Sequence, residues 1–161
     1  MHPENDYHIE KTRCAVGLTT VGGERIVGEM FVQAFSRHPS RGESPSDILN
    51  DDGPFFPVAV SGGATLLLAK DQVRDVDVDD SDDALATIMP DGLPGVTAVS
   101  VELSLTGGVV RLGRIYVGMP YDRPRLLDFL NRYTNRFLSL HTDEGLCLVN
   151  RRAIERVRPL D

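Results

Sequence analysis

A run of carboxylates is the densest group of side chains in this sequence that could do chemistry. The segment from Asp75 to Asp83 reads DVDVDDSDD, and closely spaced carboxylates suit a hard cation such as Ca²⁺. The run departs from an EF-hand loop, because Asp80 stands where that loop needs glycine and Ala86 where it needs glutamate. Asp75 and its neighbours alternate with valines, which predicts the solvent face of an ending strand followed by a solvated acidic linker. We therefore expect no resident metal and no cofactor; the candidate cation ligands are Asp75, Asp77 and Asp79.

Arginines supply all of the basic side chains near the C-terminus, since residues 107–161 contain ten arginines and no lysine. Guanidinium groups bind carboxylates and phosphates in a bidentate manner, so these side chains could hold an anionic partner. The alternative is an ordinary solvated face. The candidate binding residues are Arg111, Arg114, Arg123, Arg125, Asn131, Arg132, Arg136, Arg151 and Arg152.

The remaining reactive side chains form no catalytic pattern. The four histidines are scattered without metal-ligand spacing, and no Ser/His/Asp order has a supporting flanking motif. The two cysteines, Cys14 and Cys147, stand at apolar positions of the pattern, which predicts buried thiols and no disulfide framework. The sequence therefore predicts a protein that is not an enzyme.

Charge is distributed unevenly along the 161 residues, whose net charge is −7. Residues 1–106 hold seven Lys or Arg against eighteen Asp or Glu, whereas residues 107–161 hold ten against six. The excess of acid argues against non-specific nucleic-acid binding, and the asymmetry favours charge-guided docking, either between copies or onto a partner. Ordinary sequence drift is the alternative. With no apolar run long enough for a bilayer and no signal-peptide core, we expect a bacterial-style cytoplasmic protein.

An internal repeat organises these residues. Val16, Leu18, Gly22, Gly23, Gly28 and Val32 recur as identical residues 85 positions later. The aligned segments are Cys14–Val32 with Val99–Val117, Ser46–Asn50 with Leu127–Asn131, Phe55–Val58 with Phe137–Leu140, and Leu66–Val76 with Cys147–Val157. Both copies contain Asp-x-Leu-Asn, in which we expect the Asp to cap a turn and the Asn to bond neighbouring backbone. The residues predicted to have structural roles are Gly28, Asp47, Asn50, Gly113, Asp128 and Asn131.

Each copy is predicted to contain four or five short strands and one helical interruption. The alternation from Val99 to Leu105 predicts a half-buried strand, and Gly107-Gly108 predicts the hairpin that follows it. Leucines at helical spacing predict a helix over Pro124–Phe137. A copy this small buries little surface alone, so we expect a mainly β fold of two tandem small β-barrel or β-sandwich-like units packed together. The expected boundaries are a first unit at 1–78, an acidic, then Pro/Gly-rich linker at 79–96, and a second unit at 97–161.

The second unit resembles the Sm-like family, small β-barrels that include bacterial RNA chaperones. The resemblance rests on Gly113 in the bent second strand, on the Asp-x-Leu-Asn element and on the closing segment VNRRAI at 149–154. The Arg-Gly pair of that family is absent. The residues that the resemblance places near the uridine-binding rim of such rings are Asn131, Arg151 and Arg152.

Three functions follow as hypotheses. The first is a non-catalytic interaction or scaffold protein that docks into a larger assembly, with itself or with other protein chains, through charge-complementary surfaces. The second is an RNA- or nucleotide-binding Sm-like module that uses the arginines of the second unit. The third is a small-ligand sensor with a pocket between the repeats.

Overall fold

Two series of five strands follow one another along the described part of the chain, each formed by segments in which apolar and polar residues alternate. The computed structural model describes residues 11–33, 43–78, 96–118 and 126–160. The first unit contains β1 (Lys11–Thr20), β2 (Arg25–Gln33), α1 (Pro45–Asn50), β3 (Phe55–Val60), β4 (Thr65–Ala69) and β5 (Val73–Val78). The second unit contains β6 (Val96–Leu105), β7 (Val109–Gly118), α2 (Leu126–Arg132), β8 (Phe137–Thr142), β9 (Gly145–Asn150) and β10 (Ile154–Pro159). A 3₁₀ turn joins the last two strands of each unit, at Lys70–Gln72 and at Arg151–Ala153.

The ten strands form one antiparallel sheet in the order β10-β6-β7-β8-β9-β5-β1-β2-β3-β4. The prediction of a mainly β fold with short helices is confirmed. Of the two predicted shapes, β-barrel or β-sandwich-like units, the barrel was wrong, because the sheet is open, with β4 at one edge and β10 at the other. The physical reason is that β5 does not pair with β4 of its own unit. It pairs with β9 of the second unit, and this pairing joins the two units.

Two apolar cores lie against this sheet, and β9 contributes to both. Leu146 and Leu148 belong to the core that contains the apolar residues of the first unit, whereas Cys147 and Val149 belong to the core of the second unit. Successive residues of a strand point to opposite faces of the sheet, which explains the alternation. Phe137 of β8 also lies in the first core and is fully buried. The second unit therefore completes the core of the first.

The helix of the second unit is shorter than the sequence predicts. The predicted helix ran to Phe137, but α2 ends at Arg132, and Phe137 begins β8. The Tyr133 hydroxyl donates a hydrogen bond of 2.7 Å to the Phe137 carbonyl, which fixes the turn between the helix and the strand. The predicted helix start at Pro124 and the predicted linker, apart from Val96, lie outside the described residues. In the described part of the chain, no helix has the length and apolar character needed to cross a membrane.

In the second strand of each unit, one glycine lies very close to the third strand. A Cβ atom on Gly113 would lie 2.7 Å from Leu140 Cγ and 2.8 Å from the His141 carbonyl oxygen. A Cβ atom on Gly28 would overlap the Ala59 carbonyl oxygen in the same way. The glycines are therefore required by the close packing of neighbouring strands.

Gly113→Ala should lower the free energy of unfolding by about 1–3 kcal/mol, because the added methyl group forces β7 and β8 apart. The measurement is urea denaturation followed by circular dichroism. Gly118→Ala is the matched control on the same strand, since a Cβ atom there meets nothing within 4 Å. Equal losses in the two variants would contradict the packing explanation.

Candidate interaction site at the junction of the two units

The junction is formed by the antiparallel pair of β5 and β9. Val76 lies opposite Leu148, and Asp77 lies opposite Cys147. Both strands have neighbours on each side, and nearly every residue in them is buried. Burial raises the pKa of the Cys147 thiol far above its ordinary value, so this cysteine is an apolar residue of the junction. The sequence-based prediction that both cysteines are buried is confirmed.

Two asparagine side chains hold the units together through backbone groups. Asn50 Oδ1 accepts a hydrogen bond of 2.7 Å from the Phe137 backbone N–H, and Asn150 Nδ2 donates one of 2.8 Å to the Val73 carbonyl. Asn50 is the last residue of α1, whose first turn is fixed by a capping box between Ser44 and Asp47. The Asp-x-Leu-Asn element of the first unit thus caps the helix and anchors the junction.

Asn50→Ala should lower the free energy of unfolding by about 1–3 kcal/mol, because the buried Phe137 N–H loses its acceptor. Asn131→Ala is the matched control, since Asn131 is the counterpart of Asn50, lies next to the last residue of α2 and is exposed. We expect a change below about 0.5 kcal/mol for the control. Urea denaturation of the two variants in dilute solution compares them, and an equal loss in both would contradict a junction role for Asn50.

Charged side chains also form contacts at the junction, both within β5 and between the units. Asp75 Oδ2 accepts a hydrogen bond of 2.9 Å from Arg74 Nε, and Asp77 Oδ1 accepts one of 2.7 Å from Arg111 Nη2. Arg74 also donates to the Thr106 carbonyl of the second unit, at 3.3 Å. Although burial alone would lower it, the hydrogen bond from Arg111 to Asp77 and the nearby carboxylates raise the pKa of Arg111.

These ion pairs correct the interpretation of the acidic run. The prediction that Asp75 lies on the solvent face of an ending strand was wrong: Asp75 is fully buried, and its strand β5 pairs with β9 of the second unit. Asp77 is ion-paired with Arg25 and Arg111, and Asp79 lies outside the described residues. Within the described ranges, no group of three or more His, Cys, Asp or Glu side chains could hold a metal ion.

A polar cleft of about 440 Å³ opens where the two units meet. Its lining residues are Asn50, Asp51, Asp52, Asp71, Thr134, Asn135, Arg136, Arg151 and Arg152. Arg136 Nε lies 3.2 Å from Asp71 Oδ1 across the cleft, and Lys70 Nζ lies 2.7 Å from Asp51 Oδ1 behind it. Burial acts to raise the pKa of Asp51, but the hydrogen bonds from Lys70 and from the Gly53 N–H outweigh it and hold that pKa below its ordinary value.

The structure brings together three of the arginines proposed from the sequence and separates the others. Arg136, Arg151 and Arg152 line the polar cleft. Arg111 lies on β7 beside a second cleft of about 340 Å³ near Asp77. The other described candidates lie elsewhere: Arg114 in β7 opposite His141, and Asn131 and Arg132 exposed at the end of α2. The candidates Arg123 and Arg125 lie outside the described residues. Gly28 and Gly113 lie at the close strand contacts described above, and Asp128 lies in the first turn of α2.

Sequence reasoning missed an apolar surface at the β4 edge of the sheet. Leu67 in β4 is 72% exposed, and Phe55 in the adjacent β3 is 61% exposed. Leu66 is also exposed, at the same edge. A strand at an edge presents unpaired backbone groups, so this edge offers both hydrogen bonds and apolar area. The sequence aligns Leu67 with Leu148. This alignment identifies the edge only when the burial of Leu148 is also known, and that burial is seen only in the structure.

The difference in net charge between the two units is smaller than the difference between residues 1–106 and residues 107–161. Residues 11–78 hold seven Lys or Arg against nine Asp or Glu, and residues 96–160 hold ten against six. The net charges of −2 and +4 are opposite, but most of the acidic excess belongs to residues 1–10 and 79–95.

Comparison of the chain with protein-family models, with curated proteins and with solved structures found no match.

Proposed function

We propose that this chain is a non-catalytic interaction or scaffold protein, a tandem pair of small β units that docks into a larger assembly through the edges of its sheet. The observation that carries the proposal is the exposed apolar edge formed by β4 and the start of β3. The opposite net charges of the two units add a preference for how partners approach.

The composition of β4 supports pairing of this edge with a strand of another chain. Soluble proteins usually protect an edge strand with charged residues, proline or a bulge, because an uncovered edge pairs with other chains. Thr65–Ala69 reads TLLLA and contains neither a charge nor a proline. A partner strand would satisfy the free backbone groups of β4 and bury Leu66 and Leu67.

The state of the buried polar groups supports a non-catalytic role. The buried polar and charged side chains of the described ranges are Ser44, Lys70, Arg74, Asp75 and Asn150. Each of them takes part in a cap, an ion pair or a junction hydrogen bond. None is left poised toward a cleft as a nucleophile or a general base would be.

The proposal is tested by the assembly state of the purified chain and by its capture of partners. Analytical ultracentrifugation and native mass spectrometry across a range of protein concentrations should find species larger than one chain. Affinity purification then compares the wild-type chain with Leu67→Lys, and partners that use this edge should be lost with the variant. A chain that is monomeric at all concentrations and captures nothing through this edge would overturn the proposal.

A second candidate function is the binding of a small ligand in the polar cleft between the units. The volume of about 440 Å³ suits a small molecule, and three guanidinium groups line the cleft. A thermal-shift screen against nucleotides, anionic metabolites and a short uridine-rich RNA tests this candidate. Arg152→Glu should abolish any shift, whereas the exposed Arg132→Glu outside the cleft should not. An RNA that binds without dependence on salt or on Arg152 would exclude the use of this cleft.

A further inference from the structure

We infer that copies of this chain associate head to tail, with β4 of one chain pairing antiparallel to β10 of the next. This inference rests on the proposed function and names its partner, a second copy. Inside the chain, the fourth strand of the second unit (β9) pairs with the fifth strand of the first unit (β5). The strands left at the two edges, β4 and β10, are the fourth and fifth strands of the opposite units. The contact between chains would therefore repeat the contact within the chain.

The alignment of the two units gives the register of this contact. Leu66–Val76 corresponds to Cys147–Val157 with a constant offset of 81, and the 3₁₀ turns at Lys70–Gln72 and Arg151–Ala153 keep the same offset. Within the chain, Val76 lies opposite Leu148. Between chains, Leu67 of one copy would then lie opposite Val157 of the next. The neighbouring pairs would be Leu66 with Arg158, Leu68 with Arg156, and Thr65 with Pro159.

The exposed apolar side chains at the β4 edge are those that the internal junction buries. Phe137 and Leu148 are fully buried in the core of the first unit, although both belong to the second unit. Their counterparts in the first unit are Phe55 and Leu67, which are 61% and 72% exposed. Among the described residues, none covers Phe55 and Leu67. We expect the second unit of another copy to cover them.

In the second unit, the apolar residues that correspond to those covered by β8 and β9 in the first unit are only partly buried. Leu49, Val73 and Val76 of the first unit are fully or almost fully buried, because the side chains of β8 and β9 cover them. Their counterparts Leu130, Ile154 and Val157 pack against the core of the second unit but are only partly buried. When β4 of another copy pairs with β10, β4 and its neighbour β3 would cover all three residues.

The polar contacts indicate an interface weaker than the internal junction. Asn131 is exposed where its counterpart Asn50 accepts the Phe137 N–H, so it could accept the Phe55 N–H of another copy. The counterpart of Asn150 is Ala69, which cannot form the second asparagine contact. The contact between chains should therefore be reversible and depend on protein concentration.

Charge favours the head-to-tail arrangement over a symmetric one. Pairing of β4 with β10 brings a unit of net charge −2 against a unit of net charge +4. Pairing of β4 with β4, or of β10 with β10, brings units of like charge together, which disfavours association. A head-to-tail contact uses two different surfaces, so it produces closed rings if the rotation closes and open filaments if it does not.

The first test compares Leu67→Lys with Leu112→Lys by analytical ultracentrifugation. Leu112 is 58% exposed, and its counterpart Val27 is 68% exposed, so neither depends on a neighbouring unit. Leu67→Lys should raise the dissociation constant of the assembly by about 30-fold or more, as a central apolar contact does, while Leu112→Lys should leave it unchanged. An assembly that survives Leu67→Lys forms through another surface, which overturns this inference and leaves the proposed function standing.

The second test fixes the direction and the register with a short bis-maleimide cross-linker. Leu67→Cys and Val157→Cys are made as separate variants; the native cysteines are buried and do not interfere. A mixture of the two variants should yield a cross-linked dimer, and each variant alone should not. Cross-linking of Leu67→Cys with itself would identify symmetric β4 pairing and overturn the head-to-tail arrangement. A chain that is monomeric and never cross-links would overturn the inference, and the proposed function falls as well only if that chain also captures no partner through the β4 edge.

Discussion

Phe137→Ala should lower the free energy of unfolding by about 3–5 kcal/mol, whereas Phe55→Ala should lower it by less than about 1 kcal/mol. The two phenylalanines occupy the same place in the two units, at the first residue of β3 and of β8. Phe137 is fully buried in the core of the first unit, and Phe55 is 61% exposed. Truncation of a buried aromatic ring loses its transfer free energy and leaves a cavity, but truncation of an exposed ring does neither.

The measurement is urea denaturation of both variants at a protein concentration where the chain is monomeric. Low concentration is required because an assembly that buries Phe55 would add its own stabilisation. The variant Phe137→Leu serves as a control for cavity size, and we expect it to recover part of the loss. Similar losses for Phe55→Ala and Phe137→Ala would contradict the burial that distinguishes the two sites.

The strand pattern is the part of the fold that local sequence predicts well. Alternation from Val99 to Leu105 predicts β6, and the pair Gly107-Gly108 predicts the turn into β7. Both glycines adopt positive φ angles, of 92° and 77°, which other residues rarely adopt. These features are local, because they depend on residues only a few positions apart.

Strand pairing between the units could not be predicted from the same pattern. Phe55–Val58 and Phe137–Leu140 have matching apolar positions, yet one phenylalanine is exposed and the other is buried. The difference arises because β9 lies beside β5, far away in the sequence. A closed barrel and an open sheet contain the same strands and hairpins, so only this long-range pairing distinguishes them.

The partners of the arginines in the second unit also could not be predicted from the sequence pattern. The sequence indicates that arginines of the second unit could bind carboxylates or phosphates, but it does not identify the partner. In the structure, Arg111 binds Asp77 and Arg136 binds Asp71, both in the first unit. Two of the proposed anion-binding residues therefore bind carboxylates of the same chain. Arg151 and Arg152 remain at the cleft, where their neighbours include three carboxylates.

Sharing of apolar residues between the units explains why the two cores should unfold together. The core of the first unit contains Phe137, Leu146 and Leu148, all from strands of the second unit. Loss of the second unit would expose this core in the same way that Leu67 and Phe55 are exposed at the free edge. In the described residues, the second unit thus completes the core of the first, whereas β4 and β10 lie at the edges of the sheet without a further strand beside them.

The buried ion pair at the junction is the second site where a single substitution should have a large effect. Asp75→Ala should lower the free energy of unfolding by about 3–5 kcal/mol, because it leaves the Arg74 guanidinium buried without a carboxylate. Asp75 has a side chain only 1% exposed, and Arg74 has one 10% exposed. The Thr106 carbonyl, at 3.3 Å, would be the remaining acceptor for Arg74.

Asp77→Ala, two residues further along β5, is the matched control. The Asp77 side chain is 36% exposed and its partners are partly exposed, so its removal should cost about 1 kcal/mol or less. The double variant Arg74→Met with Asp75→Leu should recover most of the loss, since an apolar pair of similar volume needs no compensating charge. Urea denaturation of the three variants separates the two explanations. A double variant as unstable as Asp75→Ala would mean that lost packing, rather than an unpaired buried charge, causes the instability.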